Sequence, residues 1–284
     1  MNVLSICDGI SCGQVALQRA GITDYTYYAS EIDLHAIKVT QSNFPDTIQL
    51  GDCRSIDLES LPHIDILYGA TPCQDVSTMK QGAAGLNGEN SRLFFDFIRI
   101  LEKVNPDIFI YENVASMSND TKDMISSNFC LSPYKIDSAC VSAQQRRRYY
   151  WTNIDFQLPG YWNAPVLQDI LESGYAEIEK AYCLIASEGR TSTYPSKLLE
   201  RYKKKFITVV FDSPDFNEER IRRFTQMELE RLQTLPEGYT RAVKRNKAAE
   251  LIGNAWTVDV IAHILHHRAK RLKKRVQEQF AFAV

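Results

Sequence analysis

The first 155 residues alternate short apolar runs with helical patterns, and this alternation limits the fold more than any other feature of the chain. Strands are predicted at residues 2–6, 25–30, 64–69 and 107–111, and helices at residues 13–20, 34–43, 91–104 and 117–128. A loop and then a helix follow each predicted strand, which is typical of βαβ units and a parallel sheet. We therefore predict an α/β fold in which a mostly parallel sheet carries helices on both faces.

The chain after residue 155 has a different pattern. Residues 156–245 contain several prolines and show no clear alternation of strands and helices, whereas residues 246–284 become helical again. We predict that residues 1–155 and 246–284 form the larger domain and that residues 156–245 form a small second domain.

Charge and composition restrict the partners and the cellular setting. Residues 1–120 carry a net charge of −9 and residues 121–284 a net charge of +7, so a polyanion would lie on the second half, although a solvated basic face gives the same pattern. The seven cysteines form no C-x-x-C pair, which predicts neither a zinc site nor a disulfide framework. No apolar run approaches the ~20 residues that span a bilayer, and no signal-peptide pattern is present, so we expect a cytoplasmic or nuclear protein.

Polar loops follow the predicted strands, and ligands of parallel sheets bind beyond the carboxyl ends of the strands. Asp8, Gly9 and Gly13 follow the first strand, where glycines let the backbone approach a cofactor. Glu31 follows the second strand and could accept hydrogen bonds from ribose hydroxyls, while Asp52 could meet an adenine amino group. Each also has a simpler reading, as a turn, a surface carboxylate or a turn cap.

A cysteine directly after a proline is the strongest catalytic candidate. The run Thr71-Pro72-Cys73-Gln74 follows the third predicted strand, and Pro72 fixes its own backbone and favours an extended Thr71. Cys73 is then presented on a fixed loop, although a lone cysteine is more often a small buried apolar residue. The glycine-rich residues 79–90 that follow could form a mobile lid or a long surface loop.

Two further groups suit chemistry on a nitrogen heterocycle. Glu112 follows the fourth predicted strand, where a carboxylate can hydrogen-bond to a ring nitrogen while sulfur adds to the ring. Arg146 and Arg148 would share one face of a strand and Arg147 the other, and two guanidinium groups on one face can bind a carbonyl oxygen or a phosphate.

In this order, these elements resemble the DNA (cytosine-5)-methyltransferase family, over roughly residues 3 to 265. The matching motifs are Asp8-Gly9 with Gly13, Thr71-Pro72-Cys73-Gln74, Glu112-Asn113-Val114, Gln144-x-Arg146-x-Arg148, the segment from Arg223 to Pro236, and Gly253-Asn254-Ala255. Details of the sequence are most similar to the de novo branch and to short phage or bacterial relatives. One departure is Cys7, because the family's cofactor loop usually begins with a phenylalanine that packs against adenine.

The resemblance implies a Rossmann-like fold that uses S-adenosylmethionine, with a small target-recognition domain and no metal. The implied cofactor residues are Asp8, Gly9, Ile10, Gly13, Glu31, Ile32, Asp52, Cys53, Pro72, Asn254 and Ala255. In the implied reaction Cys73 attacks C6 of cytosine, Glu112 holds N3 and the exocyclic amine, and Arg148, together with Arg146, holds O2. The implied partner is double-stranded DNA, with the target base flipped out of the duplex and with or without a cognate restriction endonuclease.

Two other functions are weighed against this one. A related branch of the family modifies tRNA, although the Cys-Phe-Thr signature typical of that branch is absent here. A non-catalytic binding module is the third hypothesis, but such relatives usually lose the cysteine or the cofactor residues, and both are present in this chain.

Overall fold

The computed structural model describes residues 1–71, 92–160 and 164–267. The strands in these ranges are β1 (Asn2–Ile6), β2 (Thr26–Ser30), β3 (Ile48–Gln49), β4 (Ile66–Gly69), β5 (Ile108–Val114), β6 (Tyr134–Asp137), β7 (Arg147–Thr152), β8 (Val210–Phe211) and β9 (Ile221–Arg222). The α-helices are α1 (Cys12–Arg19), α2 (Leu34–Asn43), α3 (Leu93–Val104), α4 (Asn119–Phe129), α5 (Leu167–Ile170), α6 (Pro195–Lys203), α7 (Gln226–Leu232) and α8 (Arg245–Asn254). A further helix occupies residues 258–267.

Seven strands form one sheet in the order β3-β2-β1-β4-β5-β7-β6. Strands β1 to β5 are parallel to one another, while β7 runs antiparallel to both β5 and β6. The carboxyl ends of the parallel strands therefore lie at one edge, which is where ligands bind in such sheets.

Alternate residues of the central strands pack on opposite faces of the sheet. In β5, Ile108 and Ile110 join one buried apolar cluster, whereas Phe109 and Tyr111 join the other. The first cluster also contains residues of α1, α2 and the helix at 258–267, and the second contains residues of α3 and α4. Helices thus cover both faces, as predicted, because strand side chains alternate with period two and each face must be buried.

Local sequence signals set the ends and the faces of the helices. Phe94, Phe97 and Ile100 are fully buried and recur at helical spacing in α3, so one stripe of the helix packs on the sheet. Each such side chain stabilises the fold by about 1.5–3 kcal/mol when buried. Asp33 caps α2 by accepting a hydrogen bond from the backbone N–H of His35 at 2.8 Å.

The strands and helices predicted for the first 155 residues are confirmed, with most ends within two residues of their predicted positions. One predicted boundary is wrong, because the fourth predicted strand does not end at Tyr111 but continues to Val114. Strand β7 pairs with β5 as far as the Val114–Arg148 position, and this long-range pairing extends the strand. Glu112 therefore lies within a strand and not in the loop after it.

The chain between β7 and α8 packs partly on the main core. Leu167, Ala181, Leu184 and Phe224 belong to the larger buried cluster. A separate small cluster brings α6 together with the β8–β9 hairpin and is formed by Leu198, Ile207, Val209, Phe211 and Ile221. In the described ranges, no helix has both the length and the apolar character needed to cross a membrane.

Candidate active site

A cavity of about 710 Å³ opens at the carboxyl ends of the parallel strands. Its walls come from the loops after β1, β2, β3 and β4, from the end of β5, and from residues 251–256 at the end of α8. Of the predicted site residues within the described ranges, those that line it are Asp8, Gly9, Gly13, Glu31, Ile32, Asp52, Cys53, Glu112, Arg146, Arg148, Asn254 and Ala255. The sheet thus brings together residues that are far apart in sequence.

Glu31 joins the first two loops of the cavity. One carboxylate oxygen accepts a hydrogen bond from the backbone N–H of Gly9 at 2.7 Å, and the other accepts from the N–H groups of Ile32 and Asp33 at 2.7 and 2.8 Å. Gly9 has φ +61°, and among the described residues no atom beyond its chain neighbours lies within 4 Å of the position that a Cβ would take. A glycine therefore both permits this turn and leaves open space beside the carboxylate.

Two other carboxylates of the cavity are in contrasting environments. Asp8 accepts hydrogen bonds from the Ser11 hydroxyl and from Tyr27 Oη, and burial raises the pKa of Asp8 to about 6. Asp52 accepts from the backbone and guanidinium of Arg54, which lower the pKa of Asp52 to about 2. Asp52 lines the cavity, and it caps a short 3-10 helix, Cys53–Ser55, as one of its two predicted roles requires.

Cys7, which stands where the family usually has phenylalanine, lines the same part of the cavity as Cys53. The Cys53 thiol, together with burial, raises the pKa of Cys7 well above its ordinary value, and the Cys7 thiol lowers the pKa of Cys53. A pair of small polarisable sulfur atoms therefore lines the cavity near Glu31 and Asp52.

Glu112 and Arg148 form an ion pair at the other end of the cavity. Arg148 Nε lies 2.9 Å from Glu112 Oε1, and the two side chains are only 12% and 10% exposed. The antiparallel register places Glu112 opposite Tyr150 and Val114 opposite Arg148, so Glu112 and Arg148 are diagonal neighbours on one face. A carboxylate and a guanidinium in this position can bind the edge of a heterocycle that offers both donors and acceptors.

Arg146 lies on the same side as Arg148 but is held differently. It is 3% exposed, and its guanidinium donates to the carbonyl oxygens of Leu184 at 2.8 Å, Ala255 at 2.9 Å and Gly253 at 3.2 Å. Burial lowers the pKa of this guanidinium. Arg146 therefore ties the segment around residue 184 to the wall of the cavity, while Arg147 points away and pairs with Asp137.

Several predicted residues have other positions. Pro72, Cys73 and the candidate lid at residues 79–90 lie outside the described residues. The side chain of Ile10 is buried in the core and is absent from the cavity wall, and its carbonyl oxygen accepts a hydrogen bond from Tyr239 Oη at 2.6 Å. Ile32 lines the cavity and is 69% exposed.

Sequence reasoning missed part of the cavity wall. Arg92, Leu93 and Asp96 reach it from the start of α3, and Leu251 and Trp256 reach it from the end of α8 and the residues just after it. The position of Trp256 directly after the Gly253-Asn254-Ala255 motif was the one available signal.

The sequence model of the C-5 cytosine-specific DNA methylase family matches residues 1–158 and 161–270. The chain belongs to this family. It is therefore a DNA cytosine-5-methyltransferase that uses S-adenosylmethionine, and the family predicted from the motifs is confirmed.

Relatives and solved structures agree with this assignment. The type II methyltransferase M.NlaX of Neisseria lactamica is 27% identical over 93% of this chain and 94% of its own length. The orphan methyltransferase M.Rho11sI of Bacillus phage rho11s is 27% identical over 67% of this chain and 38% of its own length. The solved structure of the Entamoeba histolytica methyltransferase EhMeth is similar with a TM-score of 0.73 at 15% identity, covering 96% of this chain and 98% of that one. A Spodoptera frugiperda DNMT2 mutant has a TM-score of 0.65 at 19% identity, covering 94% of this chain and 98% of that one, and at such identities the likeness shows the fold alone.

The chemistry of the cavity fits S-adenosylmethionine. This cofactor carries a sulfonium and an ammonium cation, two ribose hydroxyls and an adenine amino group, all of which favour anionic or acceptor partners. Asp8, Glu31 and Asp52 supply three carboxylates to one side of the cavity, and the open space beside Gly9 allows close approach to the backbone. These residues would hold the cofactor.

Proposed function

We propose that this enzyme methylates C5 of cytosine in a specific double-stranded DNA sequence through a covalent bond between Cys73 and C6. The ion pair between Glu112 and Arg148 carries the proposal, because it lies in the cavity where a cytosine edge would have to be held. Thr71, two residues before Cys73, lines the same cavity. The family and the order of its motifs support the assignment of Cys73 as the nucleophile.

Each group has a distinct role in the proposed reaction. The Cys73 thiolate adds to C6 and the electron pair of the C5–C6 double bond moves to C5, while Glu112 holds N3 and the exocyclic amine by hydrogen bonds. Arg148 holds O2. The bound cofactor supplies an electrophilic methyl group. Loss of the C5 proton and cleavage of the sulfur–C6 bond then release 5-methylcytosine and the thiolate.

Access to the base requires that the cytosine leave the duplex. A stacked and paired base does not expose C6 to a thiol, so the base must be flipped at a cost of roughly a few kcal/mol. We assign residues 1–155 and 246–284 to the catalytic domain and residues 156–245 to a target-recognition domain that contacts the DNA. The excess of basic residues after residue 120 supports this assignment, because positive charge attracts the phosphates of DNA.

The setting of the reaction is proposed from the relatives. A bacterial type II methyltransferase and a phage orphan methyltransferase are both similar to this chain. We therefore propose a cytoplasmic enzyme of bacterial or phage origin that acts either beside a restriction endonuclease or alone.

The test begins with the target site, read by bisulfite or nanopore sequencing of DNA from cells that express the protein. A duplex with 5-fluorocytosine at that site should then trap a covalent adduct, because fluorine blocks loss of the C5 proton. Cys73→Ala should abolish both the adduct and methyl transfer, whereas Cys130→Ala, at an exposed cysteine outside the cavity, should do neither. Undiminished methyl transfer by Cys73→Ala would contradict the mechanism, and preferential methylation of tRNA would favour the RNA alternative.

A further inference from the structure

Tyr111 is a fully buried residue of β5 whose ring is fixed by other aromatic rings. Its centroid lies 5.0 Å from that of Phe97, 5.3 Å from Phe129, 5.6 Å from Phe94 and 5.9 Å from Trp151. Aromatic rings packed at these distances and tilts attract one another, and this packing restricts movement of the Tyr111 ring. The phenolic oxygen therefore has a well-defined position at the carboxyl-terminal half of the strand.

The phenolic oxygen meets the residue that precedes the Pro-Cys motif. Tyr111 Oη lies 2.5 Å from Thr71 Oγ1, and Thr71 is 5% exposed. Asn113 donates from Nδ2 to the carbonyl oxygen of Thr71 at 3.3 Å and to Tyr111 Oη at 3.4 Å. The hydroxyl and the carbonyl of Thr71 are thus both bonded to β5.

The direction of these hydrogen bonds follows from the donors available. Asn113 Oδ1 accepts from the backbone N–H of Val114 at 2.8 Å, which turns the amide nitrogen of Asn113 toward Thr71 and Tyr111. Because Tyr111 Oη accepts from Asn113, its own proton can be donated to Thr71 Oγ1, although either hydroxyl can be the donor in the bond that they share. Burial raises the pKa of Tyr111 above its ordinary value, so the phenol keeps this proton at neutral pH.

We propose that Tyr111 is a positioning residue for the nucleophile, acting through its hydrogen bond to the Thr71 hydroxyl. This role rests on the proposed function of Cys73. Two peptide units separate Thr71 from Cys73, and Pro72 between them removes much of the backbone freedom. Fixing the Thr71 side chain to a rigid ring thereby limits the positions from which the Cys73 thiol can approach a base held by Glu112 and Arg148.

A purely structural role for the same hydroxyl gives different expectations. If the bond only satisfied a buried polar group, its loss would lower stability and leave the kinetics of the folded enzyme unchanged. If it positions Cys73, its loss lowers the rate of the chemical step while substrate binding is retained, since misplacement of a reacting group by about 1 Å costs up to about a hundredfold in rate.

The chain provides a matched control in Tyr68 on the neighbouring strand β4. Tyr68 is also fully buried, but its hydroxyl has no hydrogen-bond partner among the described residues. Tyr68→Phe and Tyr111→Phe therefore remove the same atom from similar depths, and only the second breaks the contact with Thr71. Thr71→Val removes the other half of the pair, and Thr71→Ser keeps the hydroxyl.

The experiment measures kcat, the KM for DNA and for S-adenosylmethionine, and the rate of adduct formation with 5-fluorocytosine DNA. Tyr111→Phe and Thr71→Val should each lower kcat and the adduct rate by about tenfold to a hundredfold, with both KM values within about twofold of wild type. The double variant should lose no more than either single variant, because both remove the same interaction. Thr71→Ser should recover most of the loss, and Tyr68→Phe should retain the wild-type rate.

Equal effects of Tyr111→Phe and Tyr68→Phe on kcat, or additive losses in the double variant, would overturn the inference. The alkylation rate of Cys73 by iodoacetamide, followed by peptide mass spectrometry without DNA or cofactor, provides a second readout. It should change at least about threefold in Tyr111→Phe and Thr71→Val but not in Tyr68→Phe, with exposed Cys130 as the internal reference. If wild type forms no adduct with DNA, the proposed function fails, while the alkylation rates still decide whether Tyr111 positions Cys73.

Discussion

Individual residues that line the cavity also have structural roles. Glu31 accepts three backbone hydrogen bonds and still lines the cavity, and Asp52 caps a short helix beside it. Each carboxylate oxygen can accept more than one hydrogen bond, so capacity remains for ribose hydroxyls or an amino group. The bonds to the backbone hold these carboxylates in one position, so a ligand that they bind would lose less conformational entropy in the complex.

Asp8 gives a pH-dependent prediction at the scale of one residue. Burial raises its pKa from 3.8 to about 6, so the folded protein retains a proton that the unfolded chain releases between these values. Raising the pH through this window should therefore lower the free energy of unfolding, by on the order of 3 kcal/mol.

Asp8→Asn removes this titration and serves as the reference. Denaturant unfolding of both proteins without cofactor, from pH 4 to pH 7.5, should show wild type losing stability relative to Asp8→Asn as the pH rises. If the difference in unfolding free energy between wild type and Asp8→Asn stays constant over this range, the raised pKa of Asp8 is contradicted.

At the scale of elements, close backbone contact joins α8 to the 3-10 helix Ala186–Arg190. A Cβ on Gly253 would lie 2.5 Å from the backbone of Ala186 and Ile185, and a Cβ on Gly189 would lie 2.3 Å from the carbonyl oxygen of Asn246. Glu188, almost fully buried, accepts hydrogen bonds from Arg223 and Arg245 at the same contact. Two glycines and one buried ion-pair cluster thus fix the two elements together.

Gly253→Ala tests this contact, because the contact decides whether the substitution raises or lowers the free energy of unfolding. In a helix without neighbours the change would stabilise by about 0.5–1 kcal/mol, because glycine is a poor helix former. Here the added methyl group meets backbone atoms, so we expect a net loss of about 1–3 kcal/mol in unfolding free energy. Because residues 251–256 line the cavity, calorimetry should also show weaker binding of S-adenosylmethionine.

The neighbouring variant Asn254→Ala is the control for stability, since Asn254 is the next residue of the chain and is exposed. It should change the unfolding free energy by no more than about 0.5 kcal/mol. A stabilising Gly253→Ala would show that the helix and the 3-10 segment separate more easily than the contact suggests.

The local spacing of apolar residues predicted most strands of the first half of the chain. The pairing of strands that are far apart in the sequence could not be predicted from it. The bounds of β1 and α2 were predicted correctly because their apolar spacing is regular. Strand β3 has two residues and was missed, and β5 was predicted too short because its last residues are fixed by β7. In the site, Asp8 and Glu31 could be predicted to lie at the sheet edge because each comes just after a predicted strand, whereas Asp52 follows the missed strand β3.

The role of Arg146 could not be predicted from the sequence. Its acceptors are carbonyl oxygens of Leu184, Gly253 and Ala255, which come 38, 107 and 109 positions later. No side-chain pattern marks a backbone carbonyl as a partner. Sequence reasoning could therefore place Arg146 and Arg148 on one face, but could not separate the arginine that faces Glu112 from the one that joins distant segments.

Across the whole molecule, the uneven charge predicts how DNA binding should respond to salt. Lys203, the last residue of α6, forms an ion pair with Glu218, and Lys204, the next residue, forms one with Glu200. Lys197 and Lys205 are also exposed, and neither forms an ion pair with another described residue. These two lysines are the better candidates for phosphate contacts.

Replacing both Lys197 and Lys205 by glutamine should weaken binding to all DNA sequences alike. The slope of log K against log salt concentration should become shallower by about one for each phosphate that the protein no longer neutralises, so by about two in the double variant. Lys38→Gln, on α2 in the acidic half, should leave the slope unchanged. Equal slopes for wild type and the double variant would show that Lys197 and Lys205 do not contact the DNA phosphates.

The order in which the cavity walls occur along the chain has a consequence for synthesis of the enzyme. Cys7 and Trp256 face the same cavity but are 249 positions apart, and the segment around Leu184 is bonded to the last wall through Arg146. A growing chain on the ribosome cannot close this cavity until residues as far as Trp256 have emerged and packed. A chain that stops before Trp256 lacks one wall of the cavity, so we expect it to bind S-adenosylmethionine more weakly.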